Sequence, residues 1–171
     1  MNKPIVYPLF SAPVYVNDVG EFEKPDLGAL QFSSSVAGNP YGFLSSVDKN
    51  VLDRPAFKHV HDIVMHEVHR YARELLAISD SIEFYVTNSW VNIYRRGHFA
   101  GPHIHNNSLI SGVLYLKATE DSGDIVFHRD MTSLLPFPSA LDLDVDRVNI
   151  YNCKSWGHRP KTNESCLFPS V

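Results

Sequence analysis

After residue 78 the apolar residues of this chain stop recurring at helical spacing and begin to alternate, and this change of period constrains the fold more than any other feature. Ile82, Phe84 and Val86 alternate with Glu83, Tyr85 and Thr87, and the run then turns nearly all apolar through Trp90, Val91 and Ile93. Successive side chains of an extended chain point to opposite faces, so the pattern predicts a buried strand over 82–94. Leu109 to Ala118, Asp124 to Arg129, Arg147 to Tyr151 and Ser165 to Phe168 read as further strands, with Asp121-Ser122-Gly123 as a turn between the first two. The 9 glycines and 11 prolines are scattered without a period, which favours short strands and turns. Antiparallel strands at this spacing predict a mainly β fold, a β-sandwich or jelly roll.

Upstream, Ile5 to Val16 alternates apolar residues with proline and reads as one or two edge strands, where a missing ladder donor is tolerated. Residues 17–50 are rich in turn formers and predict irregular structure lying across a core built elsewhere. Asp53 to Ile78 is the one helix: Asp53 can cap it, Pro55 stands in its first turn, and Phe57, Val60, Val64, Val68, Tyr71 and Leu75 recur at three- and four-residue steps. His59, Asp62 and His66 form a second stripe whose spacing could hold a metal, but a solvated polar face is the preferred reading. The expected organisation is a single domain over 1–171, with a supporting helix at about 53–78 and a β-roll at about 82–171.

A net charge of −4, with no basic run longer than Arg95-Arg96, gives no electrostatic footprint for nucleic acid. The start, Met1-Asn2-Lys3-Pro4, does not lead into the run of about 7–15 apolar residues that marks a signal peptide, and no stretch approaches the ~20 needed to span a bilayer. The expectation is a cytoplasmic protein without nucleic-acid or membrane partners. Its substrate would be a small molecule or peptide, and homodimer formation is left open. Cys153 and Cys166, with no CxxC pair, read as two reduced thiols.

Chemistry concentrates in the stretch from Ser89 to His105. Residues two apart in an extended segment project to one side, so His103 and His105 can reach one ion while Ile104 points into the opposite layer. Trp90, Asn92 and Tyr94 share one face by the same rule and offer an indole, an amide and a phenol. Imidazole suits iron, zinc, copper and nickel, and two ligands alone do not choose among them. The competing reading is a pair of histidines bonded to backbone or water at a loop end.

Trp90-x-Asn92, Gly97, His103-x-His105 and Ser108-x-x-Ser111-Gly112-Val113-x-Tyr115-Leu116 together resemble the iron(II)/2-oxoglutarate oxygenase family whose members carry a tryptophan-initiated strand, an H-x-H and an SG-x-x-Y strand. Tyr41 to Ser46 with the helix after it, Gly123 to Phe127 and Leu167-Phe168-Pro169-Ser170 also resemble that family, so the likeness spans most of 36–171. Asn92-x-Tyr94-x-x-Gly97 ahead of His103-x-His105 is similar to the register of alkylation-repair dioxygenases in the same superfamily. The resemblance implies a double-stranded β-helix, iron(II) as cofactor and 2-oxoglutarate as cosubstrate. It assigns His103 and His105 to the metal and Asn92 and Tyr94 to the carboxylates of 2-oxoglutarate, with Tyr115 as a further candidate for that pocket. The implied reaction hydroxylates a substrate while 2-oxoglutarate is decarboxylated to succinate.

Two departures from the superfamily follow. His105 stands where a facial triad has Asp or Glu, and the chain stops at Val171, before the family's last histidine and its arginine for the far carboxylate. His128 and His158 are the substitutes to consider for the third ligand, and each reads first as a surface or loop histidine; His98 could support the site from outside. The apolar Met131 to Leu143, broken by Pro136 and Pro138, could be a lid or a loop over the core. Two other classes stay open. A cupin-like metal- or small-ligand-binding protein fits Gly97 and His103-x-His105 but lacks the expected glutamate, having Leu109 and Ile110 there. A shortened, catalytically inactive jelly-roll binding module is the third.

Overall fold

A computed structural model describes residues 4–9, 11–34, 42–129 and 144–170. The expected lid at Met131 to Leu143 lies outside the described residues, as does Tyr41. The helix forms, but its ends differ from the sequence expectation. Pro55 holds Arg54 extended (φ −74°, ψ 138°), so the entry is split into two 3-10 turns, Val51–Asp53 and Pro55–Phe57, ahead of α1 at Lys58–His69. Asp53 therefore lies within the first of these turns and does not cap α1. A π turn, Arg70–Leu75, extends α1, and Arg73 closes it by donating to the carbonyls of Ile78, Ser79 and Ile82. Asp62 is paired with Lys58 at 2.9 Å, and His59 and His66 are exposed, so this stripe is a solvated face.

Among the described residues the strands are all antiparallel and, with one α-helix, make the protein mainly β. β1 (Tyr15–Asp18), β8 (Glu164–Pro169) and β5 (Ile110–Tyr115) form one sheet in that order. β2 (Phe32–Ser34), β3 (Leu44–Ser46) and β4 (Asn92–Ile93) form a second, and β6 (Ile125–His128) pairs with β7 (Ser155–His158). Two strand expectations are corrected. Of 82–94 only Asn92–Ile93 is strand, with Ser89 in an isolated bridge to Asn50, and Ile82 and Tyr85 are 48% and 79% exposed, because 82–88 pairs with no strand among the described residues. Arg147 to Tyr151 is a turn: Asn152 Oδ1 accepts from the Asn149 amide at 2.7 Å and Asn149 Oδ1 from the Tyr151 amide at 2.8 Å, local bonds that compete with a ladder.

Leu30, Val51, Phe57 and Val60 form a small core, flanked by Phe22, Leu27, Val91 and Leu114. Beside it, Glu67 of α1 is only 3% exposed and accepts hydrogen bonds from Tyr15 (2.9 Å), Asn17 (2.9 Å) and Ser165 (3.2 Å). One carboxylate thus joins the helix to β1 and β8. Tyr71, fully buried, adds a bond from its phenol to the Pro13 carbonyl at 3.0 Å.

Candidate functional site

The site begins with how β5 meets β8. A Cβ on Gly112 would press on Leu167 Cδ2 and lie 3.2 Å from the Cys166 carbonyl, so a bare backbone lets β8 approach here. That closeness places Ser111 Oγ 2.8 Å from Ser170 Oγ and 3.0 Å from His105 Nδ1. The His105 amide donates to the Ser170 carbonyl at 3.2 Å, and the Ser170 amide to the Leu109 carbonyl at 3.3 Å. The loop that carries the histidines is therefore fastened to the edge of the β1–β8–β5 sheet.

Within that loop the two imidazoles come together as their spacing predicts, with ring centroids 5.1 Å apart and planes inclined by 37°. His103 Nδ1 is 2.8 Å from the Gly101 carbonyl. A carbonyl only accepts, so Nδ1 carries the proton and Nε2 keeps its lone pair. Burial, and then the neighbouring His103, hold His105 below the usual imidazole range, which keeps it uncharged at neutral pH. Trp90 packs edge-on against His105 at 5.6 Å. Ile104 is 63% exposed, not in an opposite layer, because this segment is a loop and not a strand.

β4 brings the remaining candidates to the same place. A pocket of about 270 Å³ is lined by Trp90, Asn92, Tyr94 and His103 from this side and by Ser33 and Ser34 of β2, Ser45 of β3, and Phe43 and Lys49 on either side of β3. Asn92 and Tyr94 thus share it with one of the histidines. Tyr94 stacks on Phe43 at 4.5 Å, and burial raises its phenol above the ordinary value, so it remains a donor. Tyr115 does not line this pocket. It lies on β5 four residues from Ser111, on the same face but roughly 13 Å along the strand, and burial pushes its phenol strongly upward.

Sequence reasoning missed Lys49, Ser45 and the serines of β2. They reach the pocket through the pairing of β2 with β3 (Ser33↔Ser45) and of β3 with β4 (Ser45↔Asn92), which no local pattern announces.

No group of three or more His, Cys, Asp or Glu residues positioned for a metal occurs among the described residues. His158 Nε2 is engaged by Glu164 at 2.6 Å, His128 is exposed on β6, and His98 Nδ1 accepts from the Arg95 amide at 3.3 Å. What the described residues offer iron is two imidazoles of the right chemistry, with His103 Nε2 left open, which fits part of a ligand set.

Residues 88–171 match the model of a family described as Putative 2OG-Fe(II) oxygenase. This segment is similar to that family. The match begins just ahead of Trp90 and takes in β4 to β8 with both histidines, while β1 to β3 and α1 precede it. No curated protein and no solved structure gives a significant match to the chain. Among the described residues, no helix is long and apolar enough to cross a membrane.

Proposed function

We propose that this protein is an iron(II)- and 2-oxoglutarate-dependent oxygenase that hydroxylates a small-molecule or peptide substrate while 2-oxoglutarate is decarboxylated to succinate. Its sheets would be parts of one double-stranded β-helix domain, working in the cytoplasm. The observation that carries the reading is the adjacency of His103 and His105, with each Nδ1 tied to a protein oxygen, beside the pocket that holds Asn92 and Tyr94. Metal-binding histidines typically bond their second nitrogen in this way.

His103 and His105 would hold the metal, and iron(II) with its cosubstrate supplies the activation of oxygen. The chain's own residues do the positioning. Gly101 and Ser111 fix the two rings, Asn92 donates its amide protons to a carboxylate, and the Tyr94 phenol, kept protonated by burial, donates a second bond. Trp90 shields His105 from water.

Anaerobic iron(II) plus 2-oxoglutarate is expected to raise the melting temperature and to produce a weak visible charge-transfer band, and His103→Ala to remove both. A metal-dependent rise without the band would point to a cupin-like binder. The absence of any rise would leave a binding module without this chemistry.

A further inference from the structure

Among the pocket's lining residues Lys49 alone is Lys or Arg, and nothing in the sequence pattern marked it. Its neighbours on the same stretch have acidic partners, Arg54 with Asp48 at 2.6 Å and Lys58 with Asp62 at 2.9 Å. Lys49 has none among the described residues. Its Nζ donates to Ser45 Oγ and to the Ser46 carbonyl, each at 2.8 Å, and an ammonium has three protons to give. The third is left for something that enters the pocket.

The lysine is also firmly placed. Its carbonyl accepts from the Ser89 amide at 2.7 Å, the Ser46 amide donates to the Val91 carbonyl at 2.8 Å, and the Val91 amide donates to Ser46 Oγ at 3.0 Å. The backbone around Lys49 is therefore tied to the segment that carries Trp90, Asn92 and Tyr94, and Nζ sits 5.8 Å from the Trp90 ring. A cation with no acidic partner among the described residues, bonded to one serine hydroxyl in a pocket that two further serines line, is suited to a carboxylate. The cavity, at about 270 Å³, is below the range of about 300–1,000 Å³ typical of clefts for larger ligands, so the anion should be small.

We propose that Lys49 receives the second carboxylate of a short dicarboxylate whose 2-oxo acid end lies toward His103. The assignment rests on the oxygenase reading, and it gives this chain a cation for the far end of 2-oxoglutarate that comes from the β3 side.

The test compares 2-oxoglutarate with 2-oxobutyrate, which has the same 2-oxo acid head and no second carboxylate. Binding is followed by Trp90 fluorescence in a Trp156→Phe background, with and without anaerobic iron(II), and by melting temperature. The wild-type site should prefer the dicarboxylate by about tenfold or more, Lys49→Gln should erase the preference, and Lys49→Arg should keep most of it. The rise in melting temperature with iron(II) alone should survive Lys49→Gln. If Lys49→Gln keeps the preference, or if inorganic phosphate competes as well as 2-oxoglutarate, the assignment is overturned while the oxygenase reading stands. If iron(II) stabilises nothing but the lysine-dependent preference is seen, the oxygenase reading falls and the dicarboxylate site remains.

Discussion

Two faces of the same β5–β8 pairing meet opposite fates. Toward α1, the buried Glu67 gathers a phenol and an amide from β1 and a hydroxyl from β8. Toward the histidine loop, Leu109, Ile104 and Phe99 are all more than 60% exposed, and the polar atoms point into an open pocket. The first region satisfies its polar groups internally and serves stability. The second leaves donors and lone pairs unspent, as a binding site must.

Glu67→Leu should break that comparison most severely, because it removes the acceptor shared by the buried Ser165 and the half-buried Tyr15 and Asn17. A loss of about 3 kcal/mol in denaturant unfolding is expected. A loss under about 0.5 kcal/mol, the size of an ordinary surface change, would mean that the carboxylate is not the tie described here.

A smaller effect appears at alkaline pH. Burial pushes the Cys166 thiol from 9.0 up to about 12, and burial together with the bond to Glu67 lifts the Tyr15 phenol from 10.0 to about 12. Both groups ionise more easily in the unfolded chain than in the folded one. Their contribution is thus complete below about pH 9 and is lost as pH rises toward 12. Melting temperature should fall over that window, and the Cys166→Ala, Tyr15→Phe double variant should flatten the fall.

Ser111→Ala sharpens the contrast, since Ser111 is buried in β5 yet bonds His105 and Ser170 on the histidine side. It should cost only about 1 kcal/mol of stability while weakening iron(II) binding by about 10–100-fold, read from melting curves at graded metal concentration. Equal effects on both quantities would mean that the two faces are one unit.

The legibility of the sequence followed the range of the interactions. Period-two spacing was enough to gather Trp90, Asn92 and Tyr94 at one pocket, while His103 and His105 meet in a loop, without the strand that the spacing implied. The body of α1 was legible from its apolar repeat, but its beginning was not, because the restriction that Pro55 places on Arg54 outweighed the capping signal of Asp53. Asn149 and Asn152 defeated the strand expected at Arg147 to Tyr151 by bonding to nearby backbone. Lys49 and Ser45 were hidden because they meet Trp90 and Asn92 across more than forty residues of chain, through a sheet pairing that a local pattern does not encode.

The clasp between His105 and Ser170 has a consequence for the order in which the molecule comes apart. Because the His105 amide is sheltered by a carbonyl at the end of β8, any fraying of that strand exposes it in the same event. The imidazole pair cannot outlive the terminal strand. In native-state hydrogen exchange, the amides of His105 and Ser170 should open together as one cooperative unit, earlier than Cys166 deeper in the sheet.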